Sequence, residues 1–224
     1  MSIRVSPPAI QNDQLGNLAI FPLPGVVLFP GALLPLHIFE PRYRQMTRDA
    51  LQTGSPIAMT APLPNPAQAE TGYHPVLPIA GVGSIIHHEE LPDGRFHILL
   101  VGQGRIFIRE ELEVPTPYRQ VRAEWLQDEQ ESEPDLVHKM STVRQVVFGL
   151  HRSQPKLAAA LAKFMQQEMP PSHVADSLAN ALFADPEDRQ QLLEDTQISS
   201  RLDRVLQQLL TLFEASGDAT ESVH

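Results

Sequence analysis

The densest group of chemically capable side chains is His87-His88-Glu89-Glu90, followed at close range by His97. Imidazoles and carboxylates ligate divalent metals. A hairpin register with Glu90 opposite Arg95 sets His88 across from His97, Ile86 across from Leu99 and Glu89 across from Phe96. Two imidazoles still need a third ligand that the sequence does not place, and the i, i+4 pair of a helical zinc site is absent, so no metal ligand is assigned. A second cluster, Glu40, Arg42, Tyr43 and Arg44, directly follows apolar residues. It reads either as the lip of a ligand site or as a structural link from Glu40 or Arg42 to backbone groups. Glu110, Glu111 and Glu113 sit beside Pro115 and Pro117 in what reads as a loop. A glycosidase-type acid pair needs carboxyls converging in a cleft, so these three are expected to be solvated.

The remaining chemistry is bounded by what the sequence lacks. With no cysteine there is no disulfide, thiolate ligand or thiol nucleophile. No Gly-Lys dipeptide occurs, so the Lys and Gly-rich backbone of a phosphate loop cannot meet one nucleotide. Lys139, Lys156 and Lys163 are the only lysines, each on an amphipathic helical pattern away from any strained nucleophile turn. No catalytic residue and no cofactor is assigned.

The elements that must position these groups fall into two halves. Residues 18–131 hold short apolar pieces punctuated by proline and glycine, such as Val26-Val27-Leu28-Phe29, Leu34-Pro35-Leu36-His37-Ile38-Phe39 and Ile57-Ala58-Met59, all read as strands. One helix interrupts them, starting at Glu40-Pro41 and ending at Gly54, with Tyr43, Met46, Thr47, Ala50 and Leu51 on one face. Residues 62–72 read as an exposed loop. Leu91-Pro92-Asp93-Gly94 is a turn between alternating runs, and the second run is expected to end or bulge at Gly102 and Gly104. Residues 118–126 supply a further strand. Many short strands with Pro-rich turns imply a small closed or half-closed barrel.

From residue 132 the period changes to 3.6. Ser132 with Asp135 opens a helix carrying Leu136, Met140, Val143, Val147 and Leu150, and a second carries Leu157, Leu161, Phe164 and Met165. Val174, Leu178 and Leu182 mark a third, Asp185 caps a fourth with Leu192 and Leu193, and Ile198, Leu202, Val205, Leu206, Leu209 and Phe213 stripe a fifth opposite Arg201, Asp203 and Arg204. The fold class is therefore α+β: a β subdomain over 18–131 with one inserted helix, then a helical bundle over 132–215. Flexible ends are expected at 1–17 and 216–224.

Composition fits this picture and removes several functions. Of 224 residues, 42% are hydrophobic and 20% charged, which suits a globular chain. Residues 1–131 carry 9 Lys and Arg against 14 Asp and Glu, and residues 132–224 carry 8 against 13, so neither part is basic. Phosphate tracking needs clustered positive charge, which argues against nucleic acid. Residues 18–39 are apolar except His37, yet four prolines and two glycines forbid a spanning helix. The late start of that run, with Arg4 the one nearby cation, is unlike a signal peptide. Cytoplasmic residence and no membrane partner are the expectation.

These residues carry a resemblance. Leu18-Ala19-Ile20-Phe21-Pro22-Leu23, Val26-Val27-Leu28-Phe29-Pro30-Gly31 and Pro35-Leu36-His37-Ile38-Phe39-Glu40-Pro41-Arg42-Tyr43 resemble the opening of the substrate-binding N-terminal domain of the Lon protease family. Val82-Gly83-Ser84-Ile85-Ile86 and Val101-Gly102-Gln103-Gly104-Arg105-Ile106 resemble its next strands, and Ser200-Arg201-Leu202-Asp203-Arg204-Val205-Leu206 its helical end. The resemblance implies a PUA-like barrel followed by a bundle, free of the ATPase and Ser-Lys protease modules of Lon. It implies a non-catalytic module for unfolded or extended polypeptide segments, working beside a protease or chaperone. Within the matching segments the candidate binding residues are Phe39, Glu40, Arg42, Tyr43 and Arg105. The alternative is an RNA-binding or small-ligand-binding PUA-like protein. Oligomeric state is left open.

Overall fold

Period-2 alternation becomes six strands: β1 Leu18–Pro22, β2 Leu33–Ile38, β3 Ile57–Thr60, β4 Ile79–Glu90, β5 Phe96–Leu112 and β6 Gln120–Leu126. The computed structural model describes residues 8–63, 74–150, 154–165 and 169–221, except the side chains of 163, 164 and 214–221. Most of the expected loop over 62–72, and the side chain of Phe164, lie outside the described residues. The chain divides into two compact units, Met1–Gln127 and Asp128–His224.

In the first unit β6 pairs with both β1 and β5, so β1, β3, β4, β5 and β6 close into a ring, while β2 hangs on β5 at the end of the sheet. Only the β1–β3 pairing is parallel. Closure removes the free edges of a sheet, leaving β2 as the strand with an open side. Gly102 donates its N–H to Ala32 O at 2.9 Å, which sets the phase of the β2–β5 ladder. Leu34, Leu36 and Ile38 therefore bond toward β5, and the backbone groups of Leu33, Pro35 and His37 point outward. Proline is tolerated there because its missing N–H falls on the open side.

β5 is one strand of 17 residues rather than two pieces parted at Gly102 and Gly104. It bulges between Gly102 and Gly104, which oppose the consecutive Gly83 and Val82. The expected strand over Val26-Val27-Leu28-Phe29 is instead irregular, although Leu28 and Phe29 are buried. The reason is close backbone approach: a Cβ on Gly81 would lie 1.9 Å from Leu28 O, and one on Gly102 2.1 Å from Phe29 O. Leu28 and Phe29 cross the sheet where glycines leave room, instead of adding a strand to it.

The hairpin register also differs by one residue. Gly94 takes φ of 78° and donates to Leu91 O at 2.8 Å, and Leu91 N–H donates to Arg95 O at 2.8 Å. The left-handed glycine lengthens the loop to three residues, so Arg95 pairs with Leu91 rather than Glu90. Glu89 then opposes His97, and His88 opposes Ile98.

Helix α1, Pro41–Thr53, follows the sequence expectation: Glu40 is its N-cap, Gly54 ends it at φ of 69°, and Tyr43, Met46, Thr47 and Ala50 are buried. Asn12–Leu15, grouped by sequence with the flexible end, forms a 3-10 turn with Leu15 buried, and Trp125 Nε1 donates to Asn12 Oδ1 at 2.9 Å.

The second unit holds α2 Glu133–Gly149, α3 Pro155–Met165, α4 Pro171–Leu182, α5 Pro186–Glu194 and α6 Ile198–Glu221. Prolines occupy the first turns of α2, α3, α4 and α5, where a missing N–H costs nothing. Asp185 caps α5 by accepting from Glu187 N and Asp188 N, whereas Ser132 sits at the α2 N-cap without a side-chain bond. The predicted apolar stripes of α2, α3, α4 and α6 meet in one core, with α6 packing on α2 and α4, while Leu192 and Leu193 of α5 are buried apart from it and Phe213 is 45% exposed. Arg201 departs from its predicted polar face. It is 0% exposed, donating to Asp176 Oδ1 at 2.9 Å and Asp128 Oδ1 at 2.8 Å, and buried charge of this kind persists only when paired.

Candidate functional site

The first turn of α1 projects Arg42 and Tyr43 toward the end of β1 and the β5–β6 connection. There a cavity of about 270 Å³ is lined by Pro22, Arg42, Tyr43, Pro62, His74, Glu111 and Arg119. Tyr43 is 5% exposed, its ring tilted against Phe21 with centroids 4.1 Å apart. Arg42 lies over that ring, Cζ 4.5 Å from the centroid, and donates through Nε to Glu40 Oε2 at 2.9 Å. Arg119 forks onto Glu111, Nε to Oε1 and Nη2 to Oε2 both at 2.6 Å, and its Nη1 donates to His74 O at 2.9 Å. The hydroxyl of Tyr43 makes no hydrogen bond among the described residues. Burial raises its pKa, with Glu40 adding to the rise while Arg42 and Arg119 oppose it, so the phenol stays a protonated donor.

Of the predicted binding residues, the structure brings Glu40, Arg42 and Tyr43 together. Phe39 stands just before them, 60% exposed. Arg105 does not join: it is buried in mid-β5, opposite Gly81 and Leu126, and lines no part of this cavity. Arg44 turns instead against the hairpin loop at Gly94. Glu111 and Arg119 were missed. Glu111, expected to be solvated, is held in a two-pronged ion pair, as Glu110 is paired with Arg122. The β5–β6 register, with Glu110 opposite Arg122, is the signal that could have revealed the paired charges of these strands.

The histidine cluster rearranges with the corrected hairpin. His97 Nδ1 lies 3.5 Å from Glu89 Oε2 and its ring 5.0 Å from that of His37 on β2. His88 is not opposite it, and no group of three or more His, Asp or Glu suited to a metal occurs among the described residues. The outer face of β2 carries exposed Leu33 and His37, and Phe39 follows beyond the strand's end. A free ladder edge beside exposed apolar side chains is a surface on which an extended chain can lie.

Comparison with known proteins places this geometry. The chain is similar to a Lon protease of Desulfosudis oleivorans, 23% identical over 86% of this chain and 24% of that protein. It is also similar to one of Roseiflexus castenholzii, 31% identical over 84% of this chain and 23% of that protein. It thus spans about a quarter of the length of these relatives. Among solved structures, the N-terminal domain of a Mycobacterium avium complex Lon protease superposes with a TM-score of 0.67 at 14% identity, covering 86% of this chain and 97% of that one. A Lon N-terminal domain protein from Xanthomonas campestris gives 0.59 at 21% identity, covering 85% and 96%. Both share the α+β fold. The profile of the ATP-dependent protease La (Lon) substrate-binding domain matches residues 17–211, and the chain belongs to that family.

Proposed function

We propose that this protein is a non-catalytic polypeptide-binding module that engages unfolded or extended segments in protein quality control, with a protease or chaperone as its working partner. The observation that carries the reading is the match of residues 17–211 to a substrate-binding family. The geometry supplies a mode: β2 offers unpaired backbone groups, and Leu33 and Phe39, 58% and 60% exposed, offer apolar contact without sequence specificity. Residence in the cytoplasm belongs to the same proposal; among the described residues no helix is long and apolar enough to cross a membrane. The comparisons lend no support to the RNA or small-ligand alternative.

Fluorescence anisotropy with reduced, carboxamidomethylated lactalbumin tests it. The expected result is saturable binding to the unfolded protein and none to its native, disulfide-bonded form. Leu33→Asp with Phe39→Asp should weaken binding by roughly tenfold or more, since each buried apolar side chain contributes about 1.5–3 kcal/mol. Equal signals from native and unfolded lactalbumin would sink the reading.

A further inference from the structure

The cavity beneath Tyr43 has an imbalance of hydrogen-bonding groups. Its acceptors are occupied: both Glu111 oxygens take N–H groups of Arg119, and the His74 carbonyl takes another. Two donors stand open among the described residues, the Tyr43 hydroxyl and Arg42 Nη1, whose neighbouring nitrogens both go to Glu40 Oε2. The Tyr43 side chain is 5% exposed and its hydroxyl opens on the cavity, so a group entering there can accept from it. The group best matched to the cavity brings acceptors to two donors of its lining, one of them charged. Among polypeptide groups that is a carboxylate, with about four lone-pair sites.

Size and charge narrow the ligand further. About 270 Å³ lies below the usual range for drug-sized ligands and suits one or two residues. Pro22, Pro62 and the Tyr43 ring wall the space with apolar surface for the residue that bears the acid. Arg42 paired with Glu40 and Arg119 paired with Glu111 leave no net charge around the space, which disfavours a dianionic phosphate.

We propose that this cavity is a carboxylate-binding site for polypeptide clients, with Tyr43 Oη and Arg42 Nη1 donating to a chain-terminal or Asp/Glu carboxylate seated between Pro22 and Pro62. The identity of the carrier rests on the polypeptide-binding reading; the donor pair does not.

The test uses the full chain and fluorescein-labelled heptapeptides of one apolar sequence. One ends in a free acid, one in a carboxamide, and two further carboxamides carry an internal Glu or Gln. The free-acid or the Glu peptide should bind at least about tenfold tighter than its neutral twin, and which one does so separates terminal from side-chain recognition. Tyr43→Phe should abolish that preference while leaving the thermal melt unchanged, because the hydroxyl holds no partner in the fold. Arg42→Gln should also abolish the preference. Acid and neutral peptides binding within twofold of each other, an unaltered preference in Tyr43→Phe, or inorganic phosphate displacing the peptide at lower concentration than acetate would each overturn the assignment. If unfolded lactalbumin still binds in those cases, the polypeptide reading stands without this site. If acid peptides bind and unfolded lactalbumin does not, the site stands and that reading falls.

Discussion

Tyr118 shows how far a single side chain can couple the fold to pH. It is buried and donates to Asp49 Oδ2 at 2.8 Å, and burial first, then that bond and the negative charge, push its pKa up to about 12. A tyrosine in the unfolded chain ionises near 10, so between about pH 10 and 12 the folded state keeps a proton that the unfolded state releases. Stability from this group is complete below pH 10 and falls as pH rises through the window, by about 1.4 kcal/mol per pH unit at most. Tyr43, raised in the same direction, adds to the fall. Urea midpoints measured from pH 9 to 12 should therefore drop more steeply for the natural chain than for Tyr118→Phe; parallel slopes would remove Tyr118 from this role. At this scale the sequence was legible only where neighbours in the chain decide the outcome. Pro41 and Gly54 mark the ends of α1 by local dihedral preference. The burial of Arg201 depends on Asp176 and Asp128, which lie 25 and 73 residues away, and no local pattern announces such a pairing.

Elements were readable in kind and less so in partnership. All five helices of the second unit appear where a 3.6 period puts them, because one apolar stripe specifies both the helix and its buried face. Strands need a second strand to define them. The slip of the β4–β5 register comes from one left-handed glycine, Gly94, and the loss of the expected strand at Val26 comes from glycines on two other strands. The latter gives a sharp expectation. In Gly102→Ala the new methyl would meet the Phe29 carbonyl at 2.1 Å, a backbone atom that cannot rotate away. The variant should be destabilised by about 3 kcal/mol, the upper end of the overpacking range, read as a lowered urea midpoint. An unchanged midpoint would mean that Leu28 and Phe29 shift freely against the sheet.

At the scale of the molecule, each unit has an apolar core of its own. The buried members of the first lie within residues 15–123, and those of the second within residues 136–209. A domain with its own core can fold by itself. Residues 128–224 produced alone should give a helical far-UV circular dichroism spectrum and a cooperative thermal transition; a featureless melt would show that the bundle depends on the preceding half. In the sequence the hydrophobic period changes from 2 to 3.6 near residue 132, and the two compact units divide after Gln127.

Pro35 sits in the middle of the outward-facing ladder positions of β2. A twin laid antiparallel on a two-fold axis through that residue would oppose ring to ring and carbonyl to carbonyl, with no hydrogen between them. A guest strand bearing any other residue at that point supplies the missing donor. The edge thus disfavours that one pairing with itself while leaving it open to a guest, so the binding mode proposed above would meet less competition from copies of the same strand.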